Sequence, residues 1–291
     1  MTTRPIKTAI FPVGGLGTRF LPATKSMPKE MLPVIDKPLI QYAVEEAAEA
    51  GCEQFIFVTG RGKSSIEDHF DHSIELEHTL RAHARDEALE LIEQMIYKPG
   101  SISYVRQQEP AGLGHAVWCA RHLIRDEPVA VLLADDLIQA ERGCLKQMVE
   151  AYRGGNMVAA MEVEQREVSL YGIVDPGEQR GRELEVRGLV EKPSPEEAPS
   201  RIAIVGRYII EPEVFGELDR RERGAGGEIQ LTDSLARRVG LSPFKAYLFE
   251  GLRFDCGSKL GHLQANLAYA LAREELAAPL RAWLRAHPEL S

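Results

Sequence analysis

The chain has 291 residues, 44% of them hydrophobic and 27% charged, enough to bury a large core as one α/β domain or two small ones. Its 35 Lys and Arg against 44 Asp and Glu leave a net charge of −9, which speaks against nucleic acid or an anionic membrane as partner. A small phosphorylated substrate stays possible, because a few local cations and a metal ion can overcome a global negative charge.

Cys52, Cys119, Cys144 and Cys256 form no C-x-x-C pair, against a zinc cluster or a disulfide scaffold. The N-terminus runs into a strand-like segment without a long apolar stretch, so neither a signal peptide nor a membrane span is expected, and the protein reads as cytoplasmic. Residues 8–13 read as a buried strand, followed by a loop over 14–33 punctuated by Gly and Pro. Pro38 stands where a first helical turn tolerates it, and a helix runs to about Ala50 with Gly51 at its end. Residues 54–59 form a second apolar strand, 64–95 a charged helical stretch, 102–106 an alternating strand and 114–121 a helix. The apolar strand at 129–133 stops at Ala134-Asp135-Asp136.

Apolar strands separated by helices are the pattern of a parallel sheet covered on both faces, in which ligands bind beyond the carboxyl ends of the strands. Residues 14–19, Gln107 and Asp135 are therefore expected on one edge. The second half is richer in strands, at about 157–163, 172–174, 184–191, 202–210 and 244–249, with helices near 231–238 and 259–274. No composition shift, linker or internal repeat divides the chain, which predicts a single domain over 1–291.

The chemistry concentrates in Gly14-Gly-Leu-Gly-Thr-Arg19 and the following stretch to Pro33. Glycines after a first strand let backbone N–H groups approach an anion, and Arg19, Lys25 and Lys29 add three cations within one loop. It is not a P-loop, since no Lys-Ser/Thr follows Gly17, nor a dinucleotide fingerprint, which needs a third Gly where Phe20 stands. Pro22 and Pro28 predict an extended segment rather than a helix. The glycine turn alone fits a structural turn as well as a phosphate site; the Pro-stiffened loop with its cations favours an anion.

The blocks Gly14-Gly-Leu-Gly-Thr-Arg-Phe-Leu-Pro-Ala-Thr-Lys25 and Pro28-Lys-Glu-Met-Leu-Pro33 closely resemble the bacterial UTP–glucose-1-phosphate uridylyltransferases, of the sugar-phosphate nucleotidylyltransferase superfamily. The resemblance continues in order through Gly112-Leu-Gly-His-Ala-Val117, Glu191-Lys-Pro193, Ala203-Ile-Val-Gly-Arg-Tyr208, Gly226-Gly-Glu-Ile-Gln-Leu-Thr-Asp233 and Asp255-Cys-Gly-Ser-Lys-Leu-Gly261. It implies a Rossmann-like α/β/α sandwich around a mixed, mostly parallel sheet. The first half would be mainly nucleotide-binding, the second mainly sugar-binding and oligomer-forming, in a dimer or tetramer. It further implies Mg²⁺-dependent attack of glucose 1-phosphate on the α-phosphorus of UTP, giving UDP-glucose and pyrophosphate.

Carried over residue by residue, the resemblance assigns Mg²⁺ to Asp135 and Asp255, and catalysis to Arg19, Lys29 and Lys192. Gly14, Gly15, Leu16 and Gly17 would hold the phosphates, and Glu30, Gln107 and the backbone at Gly112 the base. Glu191 would bind the sugar, with Gly172 and Gly206 letting the chain approach it; both glycines fit ordinary strand ends as well. Glu191 and Lys192 are neighbours that point to opposite faces of a strand, so both reach a ligand only if the strand ends or bulges there, as Pro193 suggests. Lys25 also reads as an exposed loop lysine, Asp136 as a cap and His115 as a packing residue. Some relatives have Lys where Ala111 stands here, a peripheral difference.

A thymidylyltransferase of the same superfamily, acting on dTTP, is the nearest rival; Gly15-Leu-Gly17 and Lys29-Glu-Met-Leu-Pro33 point instead to the uridylyl branch. An NAD(P)-dependent oxidoreductase would need an acid at the end of the second strand, where Val58-Thr-Gly60 stands. A non-catalytic sugar-nucleotide sensor is disfavoured by the retention of Lys29, Asp135, Lys192 and Asp255.

Overall fold

The computed structural model describes residues 4–290. Strand β1 (Thr8–Pro12) leads through the glycine loop to a small hairpin of β2 (Pro33–Val34) and β3 (Lys37–Pro38), and then to helix α1 (Leu39–Glu49). Next come β4 (Gln54–Thr59), helices α2 (Ser64–His69), α3 (Ile74–Ala82) and α4 (Asp86–Glu93), β5 (Ile102–Arg106), α5 (Leu113–Cys119) and β6 (Val129–Leu132). The short β7 (Asp136–Gln139), α6 (Cys144–Ala151), β8 (Asn156–Glu162), β9 (Gly172–Arg180), β10 (Glu183–Glu191) and β11 (Ile202–Ile210) follow. The chain ends with α7 (Glu213–Leu218), α8 (Leu231–Ala236), β12 (Phe244–Leu248), β13 (Leu252–Asp255), α9 (Lys259–Ala272) and α10 (Glu274–Ala286), before a last short turn.

Nine strands form one sheet in the order β5-β4-β1-β6-β11-β8-β12-β10-β9. The first four are parallel, while β11 and β10 run against the rest, so the sheet is mixed and mostly parallel. Alternation along the strands separates the two faces. Ala9, Phe11, Phe55 and Phe57 face Ile40, Val44, Leu145 and Met148 of α1 and α6. Ile10, Ile56 and Val58 face Val117, Leu218, Leu231 and Leu235 on the helices of the other side. The result is the α/β/α sandwich that the family resemblance implies, its sheet covered on both faces as the strand–helix alternation predicts.

Two expectations change. Residues 64–95 make three short helices instead of one stretch, because the turns around His72 and Ala84 interrupt them, Ala84 in the left-handed region at φ 50°. The Pro-rich loop is not extended: it winds into three single turns, Thr18–Phe20, Ala23–Lys25 and Lys29–Met31. Thr24 Oγ1 donates to Gly17 O at 2.7 Å across it. Prolines fix φ without preventing turns, and here the loop also packs through Phe20, Met27 and Leu32 against Phe254, Ala265 and Tyr269. Beneath the sheet's active edge lies a buried ion pair. Arg207, 1% exposed, donates to Glu46 and also to the carbonyls of Leu133 and Gly206.

Candidate active site

The carboxyl ends of β1, β4, β5 and β6 gather the 14–19 turn, Gln107 and Asp135 on one edge, as the topology requires. A second, smaller pairing completes it. The antiparallel strands β7 and β13 set Asp255 opposite Asp136, and Cys256 N–H donates to Asp135 O at 2.8 Å. Two carboxylates far apart in sequence thereby meet. A Cβ at Gly257 would lie 3.0 Å from Asp255 Oδ1, 3.1 Å from Asp135 Oδ2 and 3.5 Å from an Arg19 guanidinium nitrogen.

Lys29 closes this group, its Nζ 2.5 Å from Asp135 Oδ2. Burial is the largest influence on each partner and opposes both charges, yet the pairing prevails: Lys29 is held above its usual range and Asp135 below. The glycine turn rests on the same lysine. A Cβ at Gly15 would come within 3.5 Å of Lys29 Cε, and one at Gly17 within 3.1 Å of Lys29 Cβ. Gly17 also has φ +66°, a conformation that side chains rarely adopt. Leu16 stands exposed at the tip, and Lys25 is an exposed loop lysine.

Gly14, Gln107 and Gly112 form a second group. Gln107 Oε1 lies 2.8 Å from where a Gly14 Cβ would be, and its Nε2 donates to Gly112 O at 3.2 Å. His115 is a supporting residue: its Nδ1 is 3.1 Å from the Gln107 amide, and its ring stacks on Trp118. Glu30 turns inward instead, 1% exposed, with Oε2 accepting from Lys63 at 2.7 Å and Oε1 buried without a partner among the described residues. Burial pushes its carboxyl above the usual range, against the pull of Lys63. Nothing in the sequence singles out Lys63.

Gly172, Glu191 and Lys192 form a third group. Strand β10 ends at Glu191, opposite Gly172, and Lys192 adopts φ 48°, a left-handed turn that a lysine rarely takes. This turn brings two neighbouring side chains to one side, with Lys192 Nζ 3.4 Å from Glu191 Oε1. A Cβ at Gly172 would sit 3.1 Å from both Glu191 and Thr232. Gly206 lies apart from this group, in the sheet: its N–H donates to Asp136 Oδ2 at 2.7 Å, and a Cβ there would press on that oxygen at 2.6 Å. Asp136 is no cap but a strand residue, paired with Arg253 at 2.6 Å.

Two carboxylates brought together, with cations beside them and a glycine turn alongside, can hold a divalent ion together with a polyphosphate. Such a donor set suits Mg²⁺, which keeps waters and substrate oxygens and rarely takes an all-protein cage. Among the described residues, no cluster of three or more His, Cys, Asp or Glu is built to hold a metal by itself.

The family model for nucleotidyl transferases matches residues 8–270. The chain belongs to the nucleotidyl transferase family. Within that family it is 51% identical over 259 residues to a UTP–glucose-1-phosphate uridylyltransferase of Komagataeibacter xylinus, covering 88% of this chain and 91% of that one. It is 50% identical over 275 residues to one of Bacillus subtilis, covering 94% of each. Among solved structures, a UDP-glucose pyrophosphorylase complexed with UDP-glucose superposes with a TM-score of 0.82 at 45% identity, over 92% of this chain and all of that one. A UTP-bound UGPase from Acinetobacter baumannii gives 0.88 at 41%, over 96% and 98%. As a nucleotidyl transferase the chain is an enzyme, and the motif resemblance to the uridylyl branch extends over nearly its whole length.

Proposed function

We propose that this nucleotidyl transferase joins UTP to glucose 1-phosphate in a Mg²⁺-dependent reaction that releases pyrophosphate and forms UDP-glucose. The observation that carries the reading is the meeting of Asp135, Asp255 and Arg19 around Gly257, next to Lys29 and the glycine turn. The names of the relatives at about half identity support the nucleotide and the sugar. Both reactants are anions, so the obstacles are repulsion and alignment. Asp135 and Asp255 would hold the divalent cation, which when bound would supply charge neutralisation at the reacting phosphates.

The chain's own residues do the rest. Backbone N–H groups of Gly14, Gly15, Leu16 and Gly17, with Arg19, receive the phosphates of UTP, and Lys29 stands by the reacting centre. Gln107 and the Gly112 backbone offer amide donors and acceptors to the base edge, while Glu30 stays paired with Lys63. Lys192 offsets the charge of the sugar phosphate, and Glu191 takes sugar hydroxyls beside Gly172. Gly206 takes no part on the sugar side; its N–H holds Asp136 in the sheet. We read the unbroken sheet as one domain. The four free cysteines and the want of any described helix long and apolar enough to cross a membrane support a cytoplasmic setting. The apolar line Leu260, Leu263 and Leu267 on α9, 67%, 66% and 45% exposed, supports a homo-oligomer.

The test is a pyrophosphate-release screen of four nucleoside triphosphates against several sugar 1-phosphates, with and without Mg²⁺. UTP with glucose 1-phosphate and Mg²⁺ should stand out. A preference for dTTP would move the chain to the thymidylyl branch, and turnover without a divalent ion would remove the role of Asp135 and Asp255.

A further inference from the structure

Arg253 enters none of the roles above, yet it touches both halves of the site. On β13 it stands two residues before Asp255, hence on the same face. Its Nε donates to Asp136 Oδ1 at 2.6 Å, with a second nitrogen against the same oxygen, and both side chains are 11% exposed. A further nitrogen donates to the Tyr171 hydroxyl at 2.9 Å. Tyr171 in turn accepts the Lys192 N–H on its carbonyl at 2.9 Å, the bond that anchors the left-handed turn.

We propose that Arg253 is a positioning residue that joins the metal side of the site to the sugar-phosphate side, by holding Asp136 off the cation and Tyr171 under the Lys192 turn. The inference rests on the proposed function, because it takes Asp135, Asp255 and Lys192 as the groups being positioned. Asp136 follows Asp135 in the chain and stands opposite Asp255 across the β7–β13 pair, so its carboxylate, left unpaired, would repel both. Arg253 on one Asp136 oxygen and the Gly206 N–H on the other occupy that carboxylate. Two remain for the metal. The planar fork of arginine can span Asp136 and Tyr171 together, whereas a lysine ammonium is a single point.

The arms are separable by Tyr171→Phe and Arg253→Lys, assayed by steady-state kinetics and by Mn²⁺ titration of the UTP complex. Tyr171→Phe should raise KM for glucose 1-phosphate about fivefold, the scale of one hydrogen bond, with Mn²⁺ affinity within about twofold of wild type. Arg253→Lys should raise that KM about tenfold or more and weaken Mn²⁺ about tenfold, leaving KM for UTP within about twofold. Added to Arg253→Lys, Tyr171→Phe should cost less than about twofold further, since the contact is already lost. Asp135→Asn is run beside them. If it keeps Mn²⁺ binding and turnover, the underlying reading of the site fails. If it loses both while Arg253→Lys and Tyr171→Phe match wild type, or change only the melting temperature, the positioning role alone is overturned. Should Arg253→Lys fail to fold, an unchanged KM for glucose 1-phosphate in Tyr171→Phe decides against it.

Discussion

Replacing Gly257 by alanine puts one methyl group where the two carboxylates meet. Its Cβ would stand 3.0 Å from Asp255 Oδ1, 3.1 Å from Asp135 Oδ2 and 3.5 Å from Arg19. The first two contacts are tighter than ordinary van der Waals separation, so each oxygen must retreat by about 0.3–0.5 Å. Gly257 has no left-handed φ, so the backbone accepts alanine and the cost falls on the carboxylates. Overpacking of this size costs about 1–2 kcal/mol of stability. Mg²⁺ demands oxygens at about 2.0–2.1 Å in near-octahedral array and cannot follow such shifts. With about 10²-fold as the scale for a 1 Å misplacement, shifts of this size should lower kcat roughly 4- to 10-fold. Pyrophosphate release measured across a Mg²⁺ series, next to a thermal melt, reads both effects. A Gly257→Ala enzyme with wild-type kcat and metal dependence would refute the convergence of the two carboxylates.

Two further outcomes follow from the ion pairs. Arg207→Met should destabilise the fold by about 3–5 kcal/mol, because Glu46 is left buried and unpaired along with two carbonyls. A melt should show it as a loss of about 6 °C or more, at roughly 2 °C per kcal/mol for a chain of this size. The hydrogen bonds and charge of Arg273 hold the Asp36 carboxyl below its ordinary 3.8. That contribution is fully present above pH 3.8 and is lost as pH falls through the lower folded value. Asp36→Asn should therefore cost only about 0.5 kcal/mol near neutral pH, since the pair is exposed, and the gap to wild type should narrow steadily under acid. A gap that widens under acid contradicts the assignment.

Much of this fold is legible in the sequence because the strands are either apolar runs or, at the edge, cleanly alternating. Residues 54–59, 102–106 and 202–210 are strands over the ranges their patterns give. The pair β7 and β13 is hidden, since Asp136-Leu-Ile-Gln139 and Leu252-Arg-Phe-Asp255 are four residues long and carry charges that belong to the site rather than to a period. Yet that pair sets Asp255 beside Asp135. Motif resemblance supplies those two residues; local pattern cannot, because their meeting depends on a contact across more than a hundred residues. The partners Lys63, Arg207 and Arg253 are missed for the same reason. The Arg253-Phe-Asp255 spacing, which shares a strand face, is the one local hint. The Glu191–Lys192 turn is the reverse case, where the need for both side chains and the following proline foretell a strand end that the φ of Lys192 displays.

The most direct measurement is a Mn²⁺ titration, by electron paramagnetic resonance, of the UTP-saturated protein and of its Asp135→Asn and Asp255→Asn variants. One ion per chain in the wild type, weakened at least about tenfold by either substitution, is the expected result if both carboxylates hold the same cation. Retention of wild-type Mn²⁺ affinity by Asp255→Asn, or two independent ions each lost with one substitution, would contradict it.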